Sequence, residues 1–512
     1  MSNIDIINTV IADIYEKYKD DKYIMEKMEN YINELPDFLQ KCKDKKSRMN
    51  ELVLEQDAFV RNFLNTNLYF YVSTTDKYVY YDNTHYTAIS EDDLLYEILT
   101  SITKQNSELS TWKQRTKINI IKKIKERSLV QYTPNSKTIQ FVLNLLSPLF
   151  TSKNRVKYLL TLMGDSILRK NETQNHHFMD AKSKNFVREL NNLCYFYLGS
   201  NMNNTIKYKY HDAHDFSQCR FIQVNENIKN ETLWNLCFQH SIDIFCVASH
   251  YSLRYKSSDN YLLNHSNDGE LIETTMYLRD KTPQQLTDIF IREYISILPE
   301  DVANVNEGIS WKNMLYLWRI FLESKGLPNV LFQDSFKQIL TTHDSVNPPD
   351  LQHTKYVNGV FMGMTSKYLP LVRSFIDFWN DNITINTTDA NSELEIEEIR
   401  LLFNGECGYK TGITEKMIID ILTHFFPNVE ICSDKFIYGI SCRLWDKEMD
   451  IEIAMKSLKN IDNLNFENIN IEEKYLYYCK YYSNEENKLV VGKSFFETSE
   501  PSITERLLHQ NF

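Results

Sequence analysis

LVRSFIDFWN (371–380), SELEIEEIRLLF (392–403), ITEKMIIDILTHFF (413–426), NVEICS (428–433) and KFIYGI (435–440) follow one another in one stretch of chain, and their order decides the reading of the rest. The first three carry apolar residues at helical spacing, with Ser392 as the expected N-cap of the second and a glycine-containing turn before the third. The last two read as short strands joined by a turn at Ser433-Asp434-Lys435.

Helix, helix, helix and hairpin is the order of a winged helix, so 371–455 is expected to be a winged-helix-like domain with 413–425 in the recognition position. Its charge does not decide between base reading and protein docking. Lys410, Lys416, Arg443 and Lys447 stand against Glu393, Glu395, Glu397 and Glu398. Downstream, 456–512 reads as a helical tail.

Moving upstream, 301–370 reads as a helical connector ending in the proline-containing link THDSVNPPDLQHT at 342–354. TPQQLTDIFIREYISIL is expected to be a helix with Pro283 in its first turn. Residues 136–300 alternate helices with short apolar strands, among them YLLTLMGDSIL, NLCYFYLGS, CRFIQV and IDIFCVAS, which suggests a mixed α/β core. LYFYVSTTDKYVYYDNTHYTAIS at 68–90 reads as an aromatic meander with turns at Thr75-Asp76 and Asp82-Asn83, and Ser90 caps a helix through LLYEILTSITK. The meander and the helices after it make a module over 56–135. Residues 1–55 are an N-terminal helical region punctuated by Pro36. The expected class is α+β, multidomain and helix-rich, with a mixed α/β core followed by the winged-helix-like domain.

Within 56–135, WKQRTKINIIKKIKERS (112–128) holds the densest positive charge of the chain, seven Lys or Arg against one Glu between Lys113 and Arg127. Helical spacing is read as placing Ile118, Ile120, Ile121 and Ile124 on one arc and Arg115, Lys122 and Lys123 on the opposite one. Lys113, Arg115, Lys122 and Lys123, with Lys416 and Lys435 further on, are the candidate nucleic-acid contacts. The ordinary alternative is a solvated surface helix. The formal net charge of −12 excludes a protein that coats nucleic acid over its whole surface, so any contact is local.

At 512 residues, 42% hydrophobic and 13% aromatic, the chain can bury more than one core. Nine scattered cysteines fit free thiols, no stretch has membrane-spanning length, and the acidic amphipathic N-terminus is unlike a signal peptide. An intracellular life with no membrane partner is expected. Abundant Asn, Ile, Lys and Tyr suggest an A+T-rich genome such as that of a large DNA virus or a parasite.

Three patterns carry possible chemistry, each with a plain structural alternative. Gly492-Lys493-Ser494 is the end of a phosphate-binding loop, but the glycine required five positions earlier is Asn487. His176 and His177 with His211-Asp212 fit loosely a metal-dependent phosphohydrolase. Cys237, His240, Cys246 and His250 nominally make a set of zinc ligands, although apolar SIDIF between them suits a buried helix. No catalytic residue, metal or cofactor is assigned from them.

The meander, WKQRTKINIIKKIKERS, KYLLTLMGDSILRK (157–170), SHYSLRYKSSDNYLLNHSND (249–268), ITEKMIIDIL with ISCRLWDKEMDI, and YLYYCKYYSNEENKLVVGKSFFE (475–497) resemble, in that order, the poxvirus-type primase-helicase proteins of nucleocytoplasmic large DNA viruses. The resemblance spans residues 57–500. It implies a domain ahead of a superfamily 3 helicase core, then a winged helix. Between 136 and 300 nothing matches Gly-x4-Gly-Lys-Ser/Thr, and without that loop no group holds the β- and γ-phosphates. The resemblance therefore implies a non-catalytic relative: a nucleic-acid-binding accessory of viral replication, transcription or packaging, on DNA before RNA. It would work with other replication or transcription proteins, as a homo-oligomer or alone, in host cytoplasm or virion. A metal-dependent phosphohydrolase and a virion scaffold protein are the alternatives.

Overall fold

A computed structural model describes residues 3–105, 108–170, 175–202, 206–211, 214–298, 308–343, 356–385, 392–407, 412–460, 469–483 and 489–509. The class is α+β and helix-rich, with small sheets. Among the described residues no helix is long and apolar enough to cross a membrane. The chain divides into two compact units, residues 1–282 with 326–330, and residues 283–325 with 331–512.

The first unit opens on a helical hairpin. A helix over Asn3–Tyr18 turns into one over Lys22–Thr66, whose N-cap Asp21 accepts the amides of Tyr23 and Ile24. This second helix runs 45 residues straight through Pro36. The proline was expected to punctuate the run. It sits at an exposed position, where the carbonyl deprived of its N–H partner is free to meet water, and the flanking turns carry the helix past it.

Three antiparallel strands follow, β1 (Leu68–Val72), β2 (Lys77–Tyr81) and β3 (Tyr86–Ile89), in the order β1-β2-β3. Left-handed Asp76 and Asn83 (φ 53° and 72°) make the two turns. The strands are aromatic on both faces because both faces are covered. Tyr69 and Tyr78 pack with Phe59, Phe63, Ile98 and Ile102, while Phe70, Val79, Tyr81 and Tyr86 face a separate core containing Val142, Leu143 and Phe245. Side chains alternate between the two cores with the period of a strand.

That second core is more helical than its sequence suggests. YLLTLMGDSIL lies in a helix over Lys153–Ile167, NLCYFYLGS in one over Lys184–Leu198 that ends at left-handed Gly199, and IDIFCVAS in one over Ser241–Tyr255. Of the four apolar runs, CRFI alone is a strand. It is β6 (Cys219–Ile222), which pairs in parallel with β4 (His176–Met179), itself parallel to β5 (Ile206–Lys207). Short apolar runs cannot be told apart by periodicity where most sides are buried, as in Lys153–Ile167 and Ser241–Tyr255, or where exposed positions are aromatic, as at Tyr195 and Phe196.

Gly164 explains how two of these helices cross. A Cβ at Gly164 would stand 2.0 Å from the carbonyl oxygen of Ala248 and 2.7 Å from Cβ of Ser252. Next to it, Asp165 accepts the Ser252 hydroxyl at 2.6 Å and the Ser258 amide at 2.8 Å, joining the crossing to the next helix. The Gly-Asp pair of MGDSIL is thus a packing device, with the glycine admitting the neighbour and the aspartate tying it down.

In the second unit the helix Leu369–Asn382 leads to a strand at Glu393–Glu395, helices at Ile396–Glu406 and Glu415–Phe425, and strands at Ile431–Cys432 and Phe436–Tyr438. The three strands form a sheet in which the last lies between the other two. Ser433 and Asp434, both left-handed, make the hairpin turn where the sequence places it. The cap of the Ile396–Glu406 helix is Glu395, in a capping box with Glu398, where Ser392 was expected. Helices at Lys447–Lys459, Ile471–Tyr482 and Lys493–His509 close the same core.

Candidate nucleic-acid interface

The helix Lys113–Lys125 buries Thr116, Ile120 and Ile124 against Phe59 and Phe63 of the long helix, and the Gln56 side-chain amide donates to the Thr116 hydroxyl at 3.0 Å. Ile118 is 64% exposed. It was expected on the buried arc, but two residues subtend 200° on a helix, so Ile118 stands opposite Ile120 and among Arg115, Lys122 and Lys125. The outward face is basic with one apolar residue in its middle.

Two of the seven cations hold structure. Arg127 donates to the carbonyls of Leu64 (2.6 Å) and Asn67 (3.3 Å), closing the C-terminal end of the long helix, and burial lowers its pKa. Lys113 donates to the Thr103 hydroxyl at 2.8 Å. Arg115 lies over the Trp112 ring (4.5 Å) and Lys125 over Tyr71 (4.5 Å), contacts that orient a cation without neutralising it. Among the described residues, none of Lys113, Arg115, Lys117, Lys122, Lys123 and Lys125 makes an ion pair with a carboxylate.

The Glu415–Phe425 helix differs. Ile418, Ile421 and Leu422 face its core, and another face is covered by the helix Trp311–Ser324 of the same unit. Arg319 donates to the Asp420 carboxylate at 2.7 Å, Lys312 donates to the Phe425 carbonyl, and Tyr316 lies against the His424 and Phe425 rings. Lys416 is exposed, one turn before Asp420; burial raises the pKa of nearby Glu323, and the Lys416 charge partly offsets that rise. Lys435 pairs with Glu395 at 3.2 Å, Lys447 with Glu398 at 2.6 Å in a buried bridge, and Lys410 lies outside the described residues. Arg443 donates to the Asp381 carbonyl.

The remaining sequence patterns come apart. His176 and His177 are neighbours on a strand and face opposite ways. His176 lies against the ring of His214 (4.3 Å), with His211 next to that ring. His177 is buried with neither ring nitrogen hydrogen-bonded, and desolvation lowers its pKa to about 4. Asp212 lies outside the described residues. Cys237 and Cys246 are core thiols, their pKa values raised by burial, and no metal-ready group among the described residues includes them. His240 has other partners, His85 and Asp243. Nothing in the sequence links residue 85 to that pair, since only the fold brings it there.

Gly492 precedes the last helix, and Lys493 in its first turn pairs with Glu472 (3.1 Å) and Glu497 (3.6 Å); Asn487 lies outside the described residues. The parallel sheet has its own strand-to-helix turn, Asp180–Ser183 after β4. There the Asp180 carboxylate accepts the Lys182 amide (3.0 Å), the Ser183 hydroxyl donates back to the Asp180 carbonyl (2.6 Å), and Lys182 pairs with Asp180 and Glu226. The Asp180 carboxylate thus caps the short turn Ala181–Ser183 that precedes the Lys184–Leu198 helix.

Compared with protein-family models, curated proteins and solved structures, the chain matches none.

Proposed function

We propose that this protein is a non-catalytic nucleic-acid-binding accessory factor of viral DNA replication, transcription or packaging, related to the viral primase-helicases and not itself an ATPase. The observation that carries the reading is the Lys113–Lys125 helix, a row of cations that among the described residues pair with no carboxylate, on an element docked against the long helix of an acidic chain. Phosphates are attracted by charges that have no closer anion, and a fixed helix loses little entropy in meeting them. Exposed Ile118 adds an apolar contact for a sugar or base.

Two features support the kinship. In the second unit a helix, two strands, two helices and three strands follow one another over 369–442, and within them the sheet of Glu393–Glu395, Ile431–Cys432 and Phe436–Tyr438, with the last strand central, supports a winged-helix reading, while Ile383–Ile385 and Ile440–Cys442 pair separately. The strand-to-helix turn after β4 is closed by its own groups, Asp180 on the Lys182 amide and Lys182 on Glu226. This favours a core that no longer grips triphosphate. The covered face of the Glu415–Phe425 helix favours that domain as a protein-docking or positioning element, with DNA before RNA as the polymer held by the basic helix.

The protein is further read as a homo-oligomer. In the long helix Gln56, Phe59 and Phe63 are buried, and towards its start Cys42, Phe38, Leu35, Tyr31, Met28 and Ile24 recur at alternating four- and three-residue spacing. Tyr31, Leu35 and Phe38 are exposed, as are Ile7, Ile11 and Ile14 of the first helix. A seam of this kind suits a second copy of the same hairpin, because two hairpins make a four-helix bundle.

The test is fluorescence anisotropy of labelled single- and double-stranded oligonucleotides with wild type and Arg115→Glu/Lys122→Glu/Lys123→Glu. Binding should weaken in the variant and lose much of its salt dependence. Equal affinity and equal salt slope would overturn the reading.

A further inference from the structure

We infer that His85, His240 and Asp243 form a binding site for a divalent transition metal, zinc(II) or a cation of like chemistry. The donor set is two imidazoles and a carboxylate, which suits that class of metal. His85 belongs to the turn between β2 and β3, and His240 and Asp243 stand at the start of the Ser241–Tyr255 helix. Nδ1 of His85 lies 2.9 Å and Nδ1 of His240 lies 3.1 Å from the same oxygen, Oδ2 of Asp243.

Those separations are close to what a metal needs. Tetrahedral bonds of about 2.0–2.1 Å place neighbouring ligand atoms about 3.3 Å apart, so each histidine would move a few tenths of an ångström from the Asp243 oxygen to admit the ion, and all three ligand atoms already lie within 4.8 Å of one another. The surroundings hold them in place. The Tyr86 amide donates to Oδ1 of Asp243 at 2.6 Å, which directs Oδ2 at the histidines. Phe141 meets both imidazole rings edge to face at 4.7 Å. The Asp82 carboxylate accepts the amides of Thr84 (2.7 Å) and His85 (2.6 Å), fixing the turn.

Burial gives the site a direction. The Asp243 side chain is fully buried, while those of His85 and His240 are 36% and 31% exposed, so one side opens to water. Three protein ligands with a solvent-side position is a site that water completes. A metal there would join the meander that carries the basic helix to the helical core, across 158 residues of sequence. The same geometry also suits a hydrogen-bonded brace, in which both Nδ1 atoms carry protons and donate to Asp243. The two differ in whether those nitrogens offer lone pairs.

The experiment is titration of the full, metal-stripped protein with cobalt(II) and then zinc(II), followed by visible absorption, bound-metal analysis and thermal unfolding. The expected result is one equivalent of bound metal, the d–d bands of a four-coordinate cobalt centre abolished by zinc, and a raised Tm. His85→Gln retains an N–H to donate to Asp243 but removes an imidazole, so it should keep the folded circular dichroism spectrum and weaken metal binding at least about a hundredfold. Absence of stoichiometric metal and of cobalt bands in the wild type would overturn the proposal, as would metal binding unchanged in His85→Gln.

Discussion

Replacing Gly164 by alanine tests the packing of the first unit through the sign of the effect. In an isolated helix the change stabilises, by about 1 kcal/mol. Here the added Cβ would sit 2.0 Å from the Ala248 oxygen, about 1.3 Å inside the roughly 3.3 Å at which carbon and carbonyl oxygen ordinarily approach. The neighbour cannot yield as a flexible side chain would, because the atoms met are the Ala248 backbone and a Cβ, and Asp165 holds Ser252 and Ser258 beside them. Separating the two helices costs about 3 kcal/mol, the upper part of the usual range for overpacking. The propensity gain offsets about 1 of that, which leaves a net loss of about 2 kcal/mol. At about 2.1 cal/mol/K per residue, a unit of this size loses about 3 °C of Tm. Differential scanning calorimetry of wild type and Gly164→Ala reads it directly, and an unchanged or raised Tm would refute the close crossing.

On the basic helix, reversing Arg115, Lys122 and Lys123 should lower the slope of log K against log salt by about 2 on single strands and nearly 3 on duplex, at 0.7–0.9 per contact. Lys435→Ala, which removes a cation already paired with Glu395, should leave that slope unchanged. His177 should make the fold acid-sensitive: the unfolded chain takes up a proton near pH 6.5, the folded one only at about pH 4, so stability falls as pH drops through that window and is unaffected above it. Urea unfolding at pH 7 and pH 5 should show about 2 kcal/mol of this loss at pH 5 in wild type, absent from His177→Leu, and parallel pH dependences would rule it out. Light scattering on a sizing column should give a multiple of 60.8 kDa for wild type and a monomer for Leu35→Glu/Phe38→Glu; a monomeric wild type at tens of micromolar rejects the hairpin seam.

What the sequence disclosed depended on whether a segment was half or wholly buried. The meander, its two turns, the basic helix and the Ser433–Lys435 hairpin were legible because turn chemistry and amphipathic period are local signals. YLLTLMGDSIL and IDIFCVAS were not, since helices buried on most sides show no polar face to set the period, and NLCYFYLGS was not because the exposed side of its helix carries the aromatics Tyr195 and Phe196. At the basic helix the residue types were plain, but Ile118 was placed on the wrong arc. The covering of Glu415–Phe425 by Arg319 and Lys312 could not be read from sequence, because ion pairs and caps between residues about a hundred apart leave no local trace. His85 joins His240 and Asp243 by the same kind of distant contact.

The meander, with both faces buried in different cores, has a consequence for how the first unit comes apart. A sheet that walls two rooms at once couples their melting, so loosening the side that seats the basic helix exposes Tyr69 and Tyr78 and undermines the support of Phe70 and Tyr86 behind them. Amides of β2, the strand hydrogen-bonded on both edges, should therefore exchange with solvent only when the whole unit opens, and a proteolytic cut within the meander should release no stable fragment from either side.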